Sequence, residues 1–395
     1  MKTTRIATDY TTKDAAGETK RVETADAAEG AKVLRLGVVG CGRVTELRHL
    51  PALGEVPGAE VVALSDTDAA RLASVADRFG VARRFADYAE LIASGGADAV
   101  AVCVPPRSHA EIGLAALAAG KHLFVEKPLA LAPEECDLLS ERAASAPALK
   151  AMVGFNLRWH RLVREARGKL GRGELGRVKL VRTVFTSGVR ARADFPDWRR
   201  RRDAGGGALF ELGVHHFDLL RFLLRDEVEE VFASSGAGDE TATVAARTAG
   251  GAQVVAAFSE GTGENHELEI YGERGWLRVS CYRADGIEQL GAGEYPGSIR
   301  TRLRRVRQSA GELPRMVRRS RRGGDYVASY ADEWRHFVGA IANDSPVEST
   351  LDDGRRALEI ALAAWESSET RRVVKVGESL GGAARELIAG GLTVR

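Results

Sequence analysis

Short apolar runs alternate with helix-like segments along the first half of the chain. Runs of strand length, rich in β-branched residues, cover 33–39, 60–65, 98–104 and 122–125. Segments 45–53 and 109–119 have the spacing of helices. Strands that alternate with helices form a parallel, doubly wound sheet, whose ligands lie at the carboxyl ends of its strands. The first half is therefore predicted to be a Rossmann-type α/β domain.

The pattern changes after Met152, where apolar and polar positions alternate over longer runs. Such alternation is typical of antiparallel strands with one buried face. The predicted strands are 178–186, 228–234, 243–248, 253–258, 267–271 and 276–279, followed by amphipathic helices at 326–343 and 351–369 and a short strand at 373–376. The second half is predicted to be an α/β domain with a large, mostly antiparallel open sheet. Its uncovered face is available for a homo-oligomer contact.

Composition narrows the class of protein. The 395 residues carry 57 basic and 55 acidic side chains, and this balance does not favour nucleic acid or a membrane as the main partner. Four cysteines without a Cys-x-x-Cys spacing favour a reducing compartment over a disulfide scaffold. No apolar run approaches the ~20 residues of a membrane span. We expect a cytoplasmic protein in which polar residues 1–32 form a disordered extension.

A glycine turn follows the first predicted strand directly, in the stretch GCGRVT at 40–45. Gly40 can form the tight turn, and Gly42 can let backbone amides approach a pyrophosphate at the start of the next helix. Asp66 ends the second predicted strand, where a carboxylate accepts hydrogen bonds from ribose hydroxyls and repels a 2′-phosphate. These positions predict a dinucleotide site that prefers NAD, although Thr45 stands where glycine or alanine is usual.

Two loops leave the carboxyl ends of the next two predicted strands. One contains Pro105, Pro106 and His109, and the other is the tripeptide Glu-Lys-Pro at 126–128. Because Lys127 follows a buried strand, its amine is expected at the rim of the ligand cleft, where it can act in proton transfer. Proline after it favours a rigid turn that is open to a cis peptide bond.

A third stretch, GGGALFELGVHHFD at 205–218, has helical spacing after its glycines. This spacing places Glu211 and His215 one turn apart on one face, where a carboxylate and an imidazole can form a proton-transfer dyad. A metal site that includes His216 is disfavoured, because adjacent helical residues point about 100° apart. A helix whose polar residues are merely satisfied at a domain contact is the remaining alternative.

In their order along the chain, these motifs resemble those of the glucose–fructose oxidoreductase, inositol dehydrogenase and rhizopine-catabolism (Gfo/Idh/MocA) family. The resemblance covers 33–376 and is carried by LGVVGCGRV, VPPRSHAEI, GKHLFVEKPLAL, MVGFNLRWH and DWRRRRDAGGGALFELGVHHFDLLRFL. It implies an NAD(P)-binding Rossmann domain at 33–152, a substrate-binding and oligomerisation domain at 153–377, and a tail at 378–395. It also implies hydride transfer between nicotinamide and a hydroxyl or keto carbon of a sugar or cyclitol, with NAD as cofactor and NADP possible.

The resemblance further implies roles for individual residues. Lys127 and His215 would handle the substrate hydroxyl proton, and Glu211 would orient the imidazole. Most family members carry Asp at this position, so a non-catalytic sensor of the same fold stays open as an alternative. The implied cofactor contacts are Gly40, Gly42, Arg43, Val44, Asp66, Pro105, Pro106, His109, Glu126 and Lys127, and the implied substrate contacts are Asn156, Arg158, Trp198 and Arg199.

Arginines cluster at 199–202 and again at 300–322, where Leu303, Val306 and Leu313 lie among them. The second run predicts an amphipathic arm that is interrupted near Pro314. Such a run is usually a solvated face or an oligomer contact. An anionic substrate, a membrane surface and a nucleic acid are the alternatives.

Overall fold

The computed structural model describes residues 33–320 and 324–378, together with two short strands near the start of the chain. Those strands, Tyr10–Lys13 and Thr19–Val22, pair antiparallel. The extension predicted for residues 1–32 therefore includes a hairpin that its polar pattern did not indicate. The other residues before Val33, and the tail after Glu378, lie outside the described residues.

Six of the described strands form a wholly parallel first sheet. In spatial order they are Arg83–Phe85, Ala59–Ser65, Leu34–Val39, Ala99–Val102, His122–Glu126 and Ala151–Gly154. The connecting helical segments are Thr45–His49 with Leu50–Leu53, Ala69–Phe79, Tyr88–Ala93, His109–Ala118 and Pro133–Ala144. The predicted doubly wound sheet is confirmed. The predicted boundary after residue 152 falls inside its last strand, which ends at Gly154.

Eight of the described strands form the second sheet. In spatial order they are Ile287–Gly291, Gly275–Ser280, Asn265–Gly272, Val178–Thr186, Gln253–Ser259, Thr241–Thr248, Val228–Ser235 and Val374–Lys375. In this second sheet, as far as the described residues show it, only the pairing of Val178–Thr186 with Gln253–Ser259 is parallel, so the predicted mostly antiparallel sheet is confirmed. Helices Arg161–Gly171, Val214–Leu224 and Leu351–Thr370 contact this sheet, while Leu180, Phe232 and Val255 remain exposed.

A helix near the end of the chain joins the two halves. Helix Gly324–Ala342 places Trp334 and Phe337 against the first sheet, and the rings of Trp334 and Phe124 stack with centroids 4.1 Å apart. Both side chains are fully buried. Large aromatic side chains bury enough apolar area to hold two layers together. This shared core keeps the loops at the carboxyl end of the first sheet against the second half.

The arginine-rich run forms a continuous helix, Ile299–Ser320, which includes Pro314. The predicted interruption at Pro314 is therefore wrong. Proline removes one backbone donor and crowds the preceding turn, but neither effect ends this helix. We call this element the arginine helix.

Candidate active site

The glycine turn at 40–45 has the geometry that a dinucleotide site needs. Gly40 has a φ of +96°, and a Cβ there would lie 2.2 Å from the carbonyl oxygen of Cys103, so no other residue fits. A Cβ on Gly42 would face open space, so a ligand can approach the backbone closely at this point. Gly40 thus forms the tight turn, while the approach of a pyrophosphate at Gly42 stays a prediction.

Asp66 ties the turn to the end of the neighbouring strand. Its Oδ2 accepts a hydrogen bond from the Cys41 amide at 2.7 Å, and its Oδ1 accepts one from the Asp68 amide at 2.8 Å. The carboxylate is buried, and a guanidinium nitrogen of Arg71 lies 3.5 Å from it. Two hydrogen bonds from backbone amides hold the carboxylate beside the turn, where the sequence predicted a ribose contact.

Thr45 stabilises the turn. Its hydroxyl donates a 2.7 Å hydrogen bond to the Gly40 carbonyl, and the side chain is fully buried. Val44, half-buried, precedes the helical turn Thr45–His49. The guanidinium of Arg43 pairs with Asp194 of the second half at 3.0 Å. The turn therefore positions the backbone of Arg43 but not its side chain. Thr45 at the third position is thus compatible with this fingerprint.

The loop at 105–109 is braced from inside. The two ring nitrogens of His109 each lie 2.8 Å from a carbonyl oxygen, one of Val104 and one of Pro128. The imidazole is fully buried and joins this loop to the Glu-Lys-Pro loop. Its side chain therefore has no nitrogen available to a cofactor, and the predicted contact is wrong for the side chain. Pro105 is half-buried, and Pro106 packs beside Gly205.

Glu126 is held by a hydrogen-bonded chain that the sequence did not indicate. The Trp334 indole donates to His49 Nδ1 at 3.1 Å, and an indole nitrogen can only donate. The other ring nitrogen of His49, Nε2, is hydrogen-bonded with Glu126 Oε1 at 2.8 Å. Although burial raises the pKa of Glu126, His49 and Lys127 bring it below its ordinary value.

The other Glu126 oxygen accepts a hydrogen bond from the Lys127 amide at 3.0 Å. Both oxygens of this buried carboxylate thus form hydrogen bonds within the protein. Glu126 therefore fixes the backbone of Lys127, and its contact with a cofactor stays a prediction. The peptide bond between Lys127 and Pro128 is cis, as the sequence allowed.

Lys127 meets Glu211 of the second half. Its Nζ donates to the Glu211 carbonyl at 3.0 Å and lies 3.3 Å from Glu211 Oε2. A guanidinium nitrogen of Arg199 lies 2.9 Å from the same carboxylate oxygen. Burial raises the pKa of Glu211, but the charges of Arg199 and Lys127 more than offset it and lower the pKa below its ordinary value. Glu211 is therefore ionised at neutral pH.

A second carboxylate, that of Glu260, completes a charge cluster with these residues. Arg199 donates to its Oε1 at 2.7 Å, while its Oε2 is buried without a hydrogen-bond partner among the described residues. Burial raises the pKa of Glu260 to about 7, against the opposing charge of Arg199. Charge cluster here means Lys127, Arg199, Glu211 and Glu260. Glu260, which directly follows strand Gln253–Ser259, was missed from the sequence because no local pattern marks its ion pair with Arg199.

His215 does not form the predicted dyad with Glu211. The segment Leu209–Gly213 is a π-turn, followed by helix Val214–Leu224, so residues four apart no longer stack as in a regular helix. The Glu211 carboxylate bonds to Lys127 and Arg199, while Nδ1 of His215 is buried without a hydrogen-bond partner among the described residues. Burial, then the charge of Lys127, lowers the pKa of His215 well below its ordinary value. The imidazole is neutral at neutral pH.

The four predicted substrate contacts lie in different surroundings. Arg158 is enclosed by Asp218 and Asp353, with nitrogen–oxygen distances of 2.5 and 2.9 Å, so its predicted substrate contact is wrong. Asn156 is buried, and its amide donates to Ser329 at 2.9 Å. Trp198 is half-buried in the helical turn Asp197–Arg200, next to Arg199 of the charge cluster. Arg199 also pairs with two carboxylates, those of Glu211 and Glu260, but it is more exposed than Arg158, so substrate contacts by Trp198 and Arg199 stay predictions.

No group of three or more metal-ligating side chains occurs within the described ranges. His216, the neighbour of His215, instead hydrogen-bonds Thr183 through Nδ1 and stacks on Phe185, with ring centroids 5.3 Å apart. Burial lowers the pKa of His216 to about 3. It acts as a neutral core residue, and the two adjacent histidines have different surroundings.

Comparison with known proteins identifies relatives over most of the chain. Residues 34–155 match the oxidoreductase family with an NAD-binding Rossmann fold, and residues 163–278 match the GFO/IDH/MocA C-terminal domain. The myo-inositol 2-dehydrogenase of Thermotoga maritima is 29% identical over 360 residues, which span 88% of this chain and 100% of that protein.

Solved structures agree with this assignment. The crystal structure of a probable dehydrogenase from Thermotoga maritima has a TM-score of 0.70 and 27% identity, over 87% of this chain and 99% of that one. The scyllo-inositol dehydrogenase of Lactobacillus casei with bound NAD(H) and scyllo-inositol has a TM-score of 0.72 over 88% of this chain and 100% of that one. At 23% identity, this second likeness shows the fold alone. The chain belongs to the Gfo/Idh/MocA family of oxidoreductases and carries its NAD-binding Rossmann domain.

Proposed function

We propose that this protein is an NAD-dependent dehydrogenase that oxidises a secondary hydroxyl group of a cyclitol or related sugar, or reduces the matching ketone. The myo-inositol 2-dehydrogenase among its relatives supports this substrate class. The observation that carries the proposal is the contact of Lys127 with Glu211, 84 positions later in the chain. Lys127 directly follows strand His122–Glu126, so this contact lies at the edge of the first sheet where ligands bind in such folds.

Gly40, Gly42 and Asp66 would hold the cofactor, with the backbone of Arg43 and Val44 at the start of the helical turn. The open space beside Gly42 and the fixed carboxylate of Asp66 both fit a dinucleotide. A bound nicotinamide supplies the hydride acceptor for oxidation, or the donor for reduction. A carboxylate at Asp66 repels a 2′-phosphate, which supports NAD over NADP.

His215 would move the substrate proton. Because its pKa is low, the imidazole is neutral and can accept the hydroxyl proton as the hydride leaves the carbon. Lys127 would donate a hydrogen bond to the same hydroxyl oxygen and stabilise the negative charge that develops there. In the reverse direction, these two residues would return the proton to the ketone oxygen.

The rest of the charge cluster would position Lys127. Glu211 binds the Lys127 amine, Arg199 binds Glu211, and Glu260 in turn binds Arg199. Glu211 is thus proposed to act on Lys127 rather than on His215. Trp198 keeps its proposed role of an apolar surface for the ring carbons of a polyhydroxylated substrate.

A substrate screen tests the proposal. Purified protein is incubated with NAD and a panel of myo-inositol, scyllo-inositol and common aldoses, and NADH formation is followed by absorbance. Turnover of at least one member that disappears in Lys127→Ala supports the function. A panel that yields no NADH, with protein that binds NADH, would contradict a dehydrogenase of this substrate class.

A further inference from the structure

The arginine helix, Ile299–Ser320, has no role in the proposed reaction. It follows the edge strand Ile287–Gly291 of the second sheet and precedes helix Gly324–Ala342. Within residues 299–320 the sequence has eight arginines and a single acidic residue, Glu312. Its 22 residues would extend over about 33 Å at the ordinary helical rise.

The polar side of this helix contacts the body of the protein. Gln308 donates to the Ile287 carbonyl at 2.6 Å, and Ser309 donates to the Asp285 carboxylate at 2.8 Å. Glu312 lies 3.4 Å from Arg161. Polar contacts therefore fix which side of the helix faces inward, along the edge of the second sheet.

The apolar side consequently faces solvent. Ile299, Leu303, Val306 and Leu313 are 78%, 56%, 65% and 54% exposed. Their spacings of four, three and seven residues place them on one stripe of a helix. A helix on a globular surface normally buries such a stripe, and this one has the opposite orientation. We call these four residues the exposed stripe.

Cationic side chains border the exposed stripe. At about 100° per residue, Arg302 and Arg307 project on its two sides, and both are exposed. Arg304 and Arg305 pair with Glu294 and Glu288. Among the described residues no carboxylate pairs with Arg302 or Arg307. The surface thus offers an apolar strip between two unneutralised cations.

We propose that the arginine helix lies along the surface of an anionic lipid bilayer. The exposed stripe would enter the boundary between headgroups and acyl chains, and the bordering arginines would meet lipid phosphates. None of the helices in the described part of the chain is both long and apolar enough to cross a bilayer, so the contact is interfacial. Such docking would hold the oxidoreductase at a membrane through a surface separate from its charge cluster.

Two other partners explain the surface less well. A nucleic acid backbone would satisfy the arginines but offers little apolar surface to the exposed stripe. A second copy paired through the same helix would cover the stripe but would bring arginine against arginine, which costs binding free energy. An anionic bilayer supplies negative charge and an apolar layer together.

Vesicle cosedimentation of the full chain tests the proposal. We expect binding to vesicles that contain phosphatidylglycerol to exceed binding to pure phosphatidylcholine by roughly tenfold or more, and to weaken as salt is raised. Leu303→Glu should abolish the binding. Leu138→Glu is the matched control, because Leu138 is a helical leucine of similar exposure, 53%, on another surface, and it should bind like the wild type. Both variants should retain wild-type dehydrogenase activity, which shows that they fold.

Four results would overturn the proposal. The first is wild-type protein that leaves anionic vesicles unbound. The second is equal loss of vesicle binding in Leu303→Glu and Leu138→Glu. The third is a change of oligomer mass in Leu303→Glu, by light scattering, together with no vesicle binding by the wild type, which would make the stripe a contact between copies. Binding of a duplex oligonucleotide in place of vesicles would equally reject the bilayer.

Discussion

Two regions of the candidate site, the glycine turn with Asp66 and the charge cluster, are held by contacts that span very different distances along the chain. Thr45 reaches Gly40 across five positions, and Asp66 reaches the Cys41 amide across 25. In the charge cluster, Arg199 reaches Glu260 across 61 positions and Lys127 reaches Glu211 across 84. The turn is therefore determined largely by its own strand–turn–helix unit, whereas the cluster exists only once both sheets are assembled.

The carboxylates of the two regions also differ in what stabilises them. Asp66 accepts hydrogen bonds from backbone amides, whose positions are fixed by the turn. Glu211 and Glu260 depend on charged side chains, and they share one arginine with opposite results. The pKa of Glu211 is lowered by two cations, whereas burial raises that of Glu260 to about 7. Environment, rather than residue type, determines the charge of each carboxyl group.

The largest expected effect is on catalysis, from His215→Gln. Loss of a general base typically costs roughly 10²- to 10⁴-fold in rate, so kcat should fall by that amount while the Kd for NADH stays unchanged. Because the pKa of His215 is lowered, its imidazole is neutral and can act as a base above that pKa. Protonation removes this activity only at a pH well below the ordinary pKa of 6.5. The wild-type profile of kcat/KM should therefore fall only below that value, and His215→Gln should lack this fall. A fully active variant would remove His215 from the mechanism.

The next effect is on stability, from Glu260→Gln. The pKa of Glu260 is raised from 4.5 to about 7, so the folded state binds this proton more tightly than the unfolded state. Its stabilising contribution is complete below the unfolded pKa and is lost as the pH rises through the folded pKa. Between roughly pH 5 and pH 8, the wild type should lose about 2 to 3 kcal/mol of unfolding free energy relative to Glu260→Gln.

Urea denaturation of both proteins at the two pH values measures this difference. Glu240→Gln is a suitable control, since Glu240 lies on the same side of the sheet but is more exposed and pairs with Arg190 at 3.3 Å. Equal pH dependence in the wild type and Glu260→Gln would mean that Glu260 is not held in the charge cluster.

A smaller effect is expected from Glu211→Asp. Shortening this side chain by one methylene draws the carboxylate back from Lys127 and Arg199, and a misplacement of ~1 Å costs up to about 10²-fold in rate. We expect kcat to fall by roughly tenfold to 10²-fold, with little change in NADH binding. Steady-state kinetics gives the result. An unchanged or higher kcat would indicate that the carboxylate at position 211, where most family members carry Asp, acts on His215.

The smallest effect tests the glycine turn. Asp66→Asn removes the negative charge and one of two amide acceptors, so the ratio of NADPH to NADH affinity should rise by about tenfold. Asp68→Asn is the matched control, because Asp68 also pairs with Arg71 but is exposed. Fluorescence titration with each cofactor measures the ratio. A ratio that changes equally in both variants would assign cofactor choice to Arg71 rather than to Asp66.

Most of the fold could be predicted, because its strands have clear periodicity. The strand Val178–Thr186 was predicted with its observed bounds, and the other predicted strands of the second sheet differ by at most two residues at an end. Strand Ile287–Gly291 was missed, since its sequence IEQLG is short and half polar. Proline propensity also misled at Pro314, where the helix continues.

The site was predictable where neighbours in sequence are neighbours in space. Gly40, Gly42 and Asp66 follow local rules, and the structure places them as expected. The dyad of Glu211 with His215 failed because a π-turn breaks the helical spacing and two distant cations attract the carboxylate. Arg158 resembled a substrate contact, but Asp218 and Asp353 enclose it. No local pattern in the sequence reveals such long-range ion pairs.

A paired measurement on Lys127→Ala tests most directly whether cofactor binding depends on the glycine turn and turnover on the charge cluster. The fluorescence Kd for NADH and the turnover of the best cyclitol are measured for wild type, Lys127→Ala and Lys150→Ala, a control lysine of nearly equal exposure, 14% against 12%. We expect Lys127→Ala to lose turnover by roughly 10³-fold while NADH binds within about twofold of wild type, and Lys150→Ala to match the wild type. Wild-type turnover in Lys127→Ala, or loss of NADH binding in proportion to turnover, would contradict this expectation.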